Sequence, residues 1–229
     1  MLRIVFFSLV IVTVMASCVE KTSLPYYNTA DFEPLFDVSK AELKDVVPHQ
    51  IGSFTMINQK GETVSQETVE GKIHLATFIF TGCASICPVM TKNIKKVYTH
   101  FLDEPNVVLL SFSVTPWKDS VANLRRFAAN YDVQGPNWHF ITGKKAEIYN
   151  LARRSYFAEE DLGFSKDSTD FLHTEHVLLI DSGKRIRGIY NGTPEDTVIF
   201  GVGAIVVSPT AASEYGSHII VKGVFENFN

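Results

Sequence analysis

The alternation of apolar and polar positions along the chain predicts strands and helices in turn. Two continuous apolar runs, over 74–80 and 107–114, are typical of strands buried on both faces. Each run is followed by apolar residues at helical spacing, which predict helices over 88–102 and 121–131. The other predicted elements are a hairpin over 54–65, a strand over 138–141, a helix over 146–154 and a hairpin over 177–190.

This order of elements predicts the α/β class, with a thioredoxin-like central sheet flanked by helices and an N-terminal hairpin extension. We assign residues 48–195 to this domain, a length that can bury a sizeable core. Residues 196–229 form an atypical C-terminal tail, which is Gly-rich and apolar without a helical period. For this tail, an extra strand pair, an association surface and a translated frameshift all stay open.

The N-terminus has the pattern of a secretory signal. A positive start ending at Arg3 precedes a mostly apolar run of 12 residues, Ile4 to Met15, which is too short to cross a bilayer. The following Ala-Ser-Cys18 resembles a bacterial lipobox, which implies cleavage before Cys18 and lipidation of that residue. An ordinary signal peptide and a retained anchor are the alternatives. We therefore predict a signal peptide over 1–17 and a polar, lipid-proximal tether over 18–47.

The charge balance argues against a polyanionic partner. Without residues 1–17 the chain keeps 20 Lys and Arg against 25 Asp and Glu, a formal charge of −5. The sequence contains neither a basic patch nor a stacking motif for bases. We therefore expect no nucleic-acid binding.

Two of the three cysteines, Cys83 and Cys87, stand four residues apart directly after the first buried strand. A helix beginning at Gly82 would place both thiols on one face of its first turn, where the helix dipole favours thiolate. Such a pair suits soft-metal binding or dithiol–disulfide exchange. Two core cysteines or a purely structural disulfide are the alternatives, although a disulfide across so short a loop stabilises little.

Several segments give the chain a family resemblance. They are Asn58–Val64, Phe78–Pro88 with its C-x-x-x-C-P pair, Ser111–Pro116 together with Asp119, Leu124 and Tyr131, and Phe171–Asp181. Over roughly 51–193 the chain resembles the Sco/SenC family of copper-handling, thioredoxin-like proteins.

The resemblance implies a copper ion, Cu(I) or Cu(II), bound by Cys83, Cys87 and His173, with the two cysteines also forming a redox pair. Two thiolates select soft Cu(I), and an imidazole also accepts Cu(II). A structural zinc site would require a fourth ligand. His176 lies three residues after His173, at the start of a strand, and we do not expect both histidines to reach one ion.

Two positions depart from the family pattern. Ala84 and Ser85 stand between the cysteines where the family often carries Pro-Asp or Pro-Thr. Thr115 stands where an aspartate is common in the wider family. Asp119 is the nearest substitute carboxylate, and we expect either Asp119 or Ser120 to cap the helix that follows.

The resemblance implies a membrane-tethered copper chaperone in the cell envelope, facing the periplasm or the exterior. Its partner would be the copper-bearing subunit of a respiratory cytochrome c oxidase, or another periplasmic copper or thiol protein. The alternative is an enzyme, a thiol-disulfide oxidoreductase that uses Cys83 and Cys87 without stable metal binding. A peroxiredoxin is the weaker alternative, because no Pro-x-x-x-Thr-x-x-Cys pattern precedes Cys83.

Overall fold

The structure is a computed structural model that describes residues 24–158 and 175–193, together with the backbone at 198–199 and 205–206. The strands are β1 (Tyr26–Tyr27), β2 (Pro34–Leu35), β3 (Thr55–Asn58), β4 (Thr63–Ser65), β5 (Ile73–Ile79), β6 (Val107–Ser113), β7 (Trp138–Thr142), β8 (His176–Ile180), β9 (Ile186–Asn191), β10 (Val198–Ile199) and β11 (Ile205–Val206). The helices are α1 (Leu43–Val46), α2 (Gln66–Val69), α3 (Ile86–His100), α4 (Val121–Asn130) and α5 (Lys145–Arg154).

Nine strands form one mixed sheet in the order β2-β1-β9-β8-β5-β6-β7-β3-β4. Strands β5, β6 and β7 are parallel neighbours, and the β8–β9 hairpin joins the sheet antiparallel to β5. Parallel pairing requires crossover connections, which α3 and α4 supply. The predicted thioredoxin-like α/β class is confirmed, with the β3–β4 hairpin as its extension beside β7. In the tail, β10 pairs with β11, which agrees with the strand-pair alternative.

Strand β5 is buried on both faces because each face packs against its own apolar cluster. Ala76 and Phe78 belong to one cluster, and Leu75 and Ile79 belong to the other. This division follows from the two-residue period of side chains along a strand. The cluster around Ile79 also contains Cys87 and the buried α3 residues Met90, Ile94, Val97 and Tyr98. Helix α3 thus packs on the same face of the sheet as Ile79.

Helix α3 approaches the sheet closely at Gly192, just after β9. A Cβ atom on Gly192 would lie 2.7 Å from Met90 Cγ, so a larger residue would push the helix away. The Asn93 side chain donates a 2.9 Å hydrogen bond to the Gly192 carbonyl. These contacts fix the position of the first turns of α3 relative to β9.

The start of α3 differs from the prediction. The helix begins at Ile86, with Ser85 as its N-cap, two residues before the predicted range 88–102. Cys83 therefore lies in the preceding turn, and the start at Gly82 considered for the cysteine pair does not occur. Pro88 explains the difference. In a helix beginning at Gly82 its missing N–H would remove an internal hydrogen bond, whereas three positions into α3 that N–H has no intrahelical partner anyway.

Part of the segment predicted to be a tether belongs to the sheet. Strand β1 pairs antiparallel with β9, and Arg187 of β9 binds the residues before β1. Its guanidinium donates to the carbonyls of Pro25 and Leu24 at 3.0 and 2.5 Å, contacts Asp181 at 3.4 Å, and lies 3.8 Å from the centre of the Tyr26 ring. Because Arg187 is buried, these partners replace its lost hydration.

We expect Arg187→Met to destabilise the fold by about 3–5 kcal/mol, because it leaves Asp181 buried without its cationic partner. Urea unfolding measures this loss, and limited proteolysis should then cleave near residue 24. Lys144→Ala is the control, since it removes the exposed ion pair with Glu147 and should leave the midpoint unchanged. Equal midpoints for the two variants would contradict the role given to Arg187.

Candidate functional site

Cys83 and Cys87 lie where β5 ends and α3 begins, at the carboxyl edge of the parallel strands. The turn leading to Cys83 closes with a 3.2 Å hydrogen bond from its N–H to the Phe80 carbonyl. The sulfur of Cys83 accepts the Cys87 N–H at 3.5 Å and lies 3.8 Å from Ser85 Oγ. The Cys83 sulfur therefore satisfies one of the unpaired N–H groups of α3, a role that the Ser85 side chain does not take.

The two thiols are free and have different environments: Cys83 is partly exposed and Cys87 is 3% exposed. Burial raises the pKa of Cys83, but hydrogen bonds from the backbone and side chains of Cys87 and Ser85 outweigh it, so this pKa is lowered. Burial raises the pKa of Cys87 to about 12, and the neighbouring Cys83 adds to this rise. Cys83 is therefore the first of the two to ionise.

Tyr131, which follows α4, lies close enough to the pair to interact with its charge. Its ring packs against the same apolar cluster as Cys83 and Ile86. Burial raises the pKa of Tyr131, and negative charge on Cys87 and Cys83 raises it further. The sequence links Tyr131 to the site only as part of the family resemblance. Nothing in the local sequence pattern indicates that Tyr131 lies near Cys83.

Of the two residues predicted to cap α4, Asp119 does not take this role. Ser120 is the N-cap, and its Oγ accepts the Asn123 N–H at 3.3 Å. Asp119 is instead buried, and its carboxylate accepts hydrogen bonds from Thr81, Ser113 and Thr115. Its position just before α4 suggested a cap. Its backbone N–H instead donates to the Thr115 carbonyl, and in this turn the side chain lies among Ser113 and Thr115.

The histidine predicted to complete the site, His173, lies outside the described residues. His176 opens β8, and its ring meets Phe32 edge-to-face at 5.8 Å. Phe32 packs on the cluster that contains Ala76 and Phe78, whereas Cys87 belongs to the cluster on the other face of the sheet. His176 therefore faces away from the cysteine pair.

Within the described ranges, no three His, Cys, Asp or Glu side chains converge in metal-binding geometry. The donors present at the site are two thiols, which are soft ligands and fit a soft cation such as Cu(I). The predicted lipidation residue, Cys18, lies outside the described residues. Among the residues that the structure does describe, no helix has the length and apolar character needed to cross a membrane.

Comparison with known proteins assigns the family. The SCO1/SenC family model matches residues 44–202. The chain belongs to the SCO1/SenC family. The resemblance found in the sequence is thus confirmed, and a SCO1 protein homolog of Bacillus subtilis is 36% identical over 169 residues, which cover 70% of this chain and 85% of the relative.

Solved structures of SCO1/SenC proteins share the fold. A SCO1/SenC family lipoprotein from Bacillus anthracis is 27% identical with a TM-score of 0.56, over 65% of this chain and 89% of the other. BsSco, in which a disulfide switch was identified, belongs to the Sco family of cytochrome c oxidase assembly proteins; it is 32% identical with a TM-score of 0.52, over 63% and 84%. ScoI of Bradyrhizobium japonicum, solved with copper bound, is 25% identical with a TM-score of 0.50, over 63% and 92%.

The unequal thiol environments predict selective alkylation of the reduced chain. Iodoacetamide should modify Cys83 first, because the thiolate is the reacting form. The alkylation rate of Cys83 should rise with pH and reach half its maximum below pH 9.0, the ordinary thiol pKa. Cys87, with its pKa near 12, should react slowly across this range. Peptide mapping by mass spectrometry resolves the two sites, and urea-unfolded chain is the control in which their rates converge. Equal rates in the folded chain would contradict this assignment.

Proposed function

We propose that this chain is a membrane-tethered copper chaperone that assists assembly of the copper centre of a respiratory cytochrome c oxidase. The observation that carries the proposal is the pair of free thiols at the start of α3 in a SCO1/SenC chain. Sco proteins with copper bound and with a link to oxidase assembly support it.

In this proposal copper is cargo, bound by Cys83, Cys87 and His173. The chain enters the described region again at Glu175, whose carbonyl accepts the Gly192 N–H at 2.8 Å. The β5–β8 register pairs Ala76 with Leu178, so Glu175 lies at the level where β5 ends. In this proposal His173, two positions before Glu175, would supply the imidazole ligand at this carboxyl edge of the sheet.

The two thiols have separate roles in transfer. Cys83 is partly exposed and ionises first, so it makes the first contact with an incoming Cu(I) and the last with a departing one. Cys87 then loses its proton to bind the ion, because a metal ligand must be deprotonated. Copper uptake should therefore release protons and weaken as pH falls.

A thiol-disulfide oxidoreductase is the second candidate, and the unequal pKa values of the pair favour it. In that reaction the Cys83 thiolate attacks a partner disulfide, and Cys87 displaces the partner thiol. The chain then carries the Cys83–Cys87 disulfide, and the partner holds two reduced thiols. The disulfide switch of BsSco supports this alternative. It requires no histidine.

The lipid anchor is part of the proposal. Cys18 follows a short apolar run in a lipobox-like context, and a SCO1/SenC lipoprotein is among the structural relatives. Leu24, where the described part of the chain begins, is six positions after Cys18, and six positions of chain span at most about 22 Å. An acylated Cys18 would hold the domain close to the outer surface of its membrane.

Copper titration of the reduced chain tests the ligand set. We expect one Cu(I) per chain, measured by competition with a chromophoric chelator. Changing His173 to Ala should lower the affinity by more than the 10- to 100-fold typical of indirect ligand partners. His176→Ala is the matched control and should bind as wild type. Equal losses for the two variants would contradict the choice of His173, and failure of the wild-type chain to bind Cu(I) would favour the oxidoreductase.

Mass spectrometry of the chain purified from membranes tests the anchor. The first residue should be Cys18, acylated on its sulfur and its amine, and Cys18→Ser should release the chain from the membrane fraction. An unmodified chain that begins elsewhere, or that retains Met1, would show that this part of the proposal is wrong.

A further inference from the structure

The carboxylate of Asp119 is the most densely hydrogen-bonded buried group near the cysteine turn. Asp119 is 1% exposed. It accepts the Thr81 N–H at 3.2 Å, Thr81 Oγ1 at 2.6 Å, Ser113 Oγ at 2.6 Å and Thr115 Oγ1 at 3.0 Å. All four donors are neutral. Burying a carboxylate costs free energy, and these bonds offset that cost.

These donors come from two separate parts of the chain. Ser113 ends β6 and Thr115 belongs to the loop after it, whereas Thr81 belongs to the loop after β5. Because β5 and β6 are parallel neighbours, the two loops leave the sheet side by side. The carboxylate therefore connects the loop that carries the cysteines to the end of β6.

Thr81 is bound through both its backbone and its side chain, so its orientation is fixed. Two residues later, the Cys83 N–H bonds to Phe80 and the Cys83 sulfur accepts the Cys87 N–H. A rotation at Thr81 would move the sulfur relative to that N–H group. Because Cys83 stands outside α3, the helix backbone itself does not fix this sulfur.

We propose that Asp119 is a positioning residue for the cysteine pair: through Thr81 it holds the turn that aims the Cys83 sulfur at the first turn of α3. It thereby sets the reactivity and the reduction potential of the pair. The proposal rests on the proposed function, in which Cys83 and Cys87 carry the chemistry.

The test compares three variants of the full chain, reduced and metal-free. Asp119→Asn keeps the size of the side chain but removes one acceptor and the charge. Thr81→Val removes the hydroxyl donor and leaves the carboxylate in place. Ser120→Ala is the control, because it removes the neighbouring helix cap without touching the carboxylate.

We expect Asp119→Asn to slow alkylation of Cys83 about fivefold, the scale of one hydrogen bond. The reduction potential should fall by about 20 mV, which is the same factor converted at about 30 mV per tenfold change. Thr81→Val should shift both quantities in the same direction by less. Ser120→Ala should lower thermal stability and leave both quantities at wild-type values.

Two outcomes would overturn the proposal. If Asp119→Asn and Thr81→Val lose stability but keep wild-type alkylation and potential, Asp119 has only a structural role. If Asp119→Asn instead speeds alkylation, the carboxylate acts through its charge and not through position. Should Asp119→Asn fail to fold, Thr81→Val alone decides: slower alkylation of Cys83 supports the positioning role, and a wild-type rate contradicts it.

Copper binding by the wild-type chain separates this proposal from the proposed function. A chain that binds no copper but responds to Asp119→Asn as expected would support the positioning role and contradict the chaperone. A chain that binds one copper and shows no response in either variant would contradict the positioning role alone.

Discussion

The parallel pairing of β5 with β6 determines where the chemistry of this chain lies. The two strands pair in register along their whole length, from Ile73 opposite Val107 to Ile79 opposite Ser113. A hydrogen bond from Val114 N–H to the Ile79 carbonyl extends the pairing into the loops. Both loops therefore leave the sheet at one edge, where one brings the cysteines and the other brings the buried Asp119. Without this register the cysteine loop and the loop that carries Asp119 would not lie side by side.

Two buried charged groups each bind together two segments that are distant in the sequence. Arg187 binds the N-terminal segment to β9, and Asp119 binds the cysteine loop to β6. Each is surrounded by carbonyl or hydroxyl partners, which makes the removal of one partner costly. Cys83 stays partly exposed beside the loop that Asp119 binds, so the thiol that ionises first remains accessible.

The sequence predicted the main elements well, because buried strands such as β5 and amphipathic helices such as α4 carry strong periodic patterns. It missed strand β1, whose two residues are too few to show a period and whose neighbouring residues bind the distant Arg187. The start of α3 was also missed, although Pro88 restricts it. The cysteines followed from their spacing, whereas the role of Asp119 depends on neighbours up to 38 residues away, which local pattern does not reveal.

The central claim is that the cysteine pair and His173 bind copper together, and X-ray absorption at the copper edge of the loaded chain tests it most directly. The account predicts two sulfur scatterers and one imidazole nitrogen for each copper, with the imidazole signal absent when His173 is replaced by alanine. A copper shell with fewer than two sulfurs, or an imidazole signal that persists without His173, would contradict it.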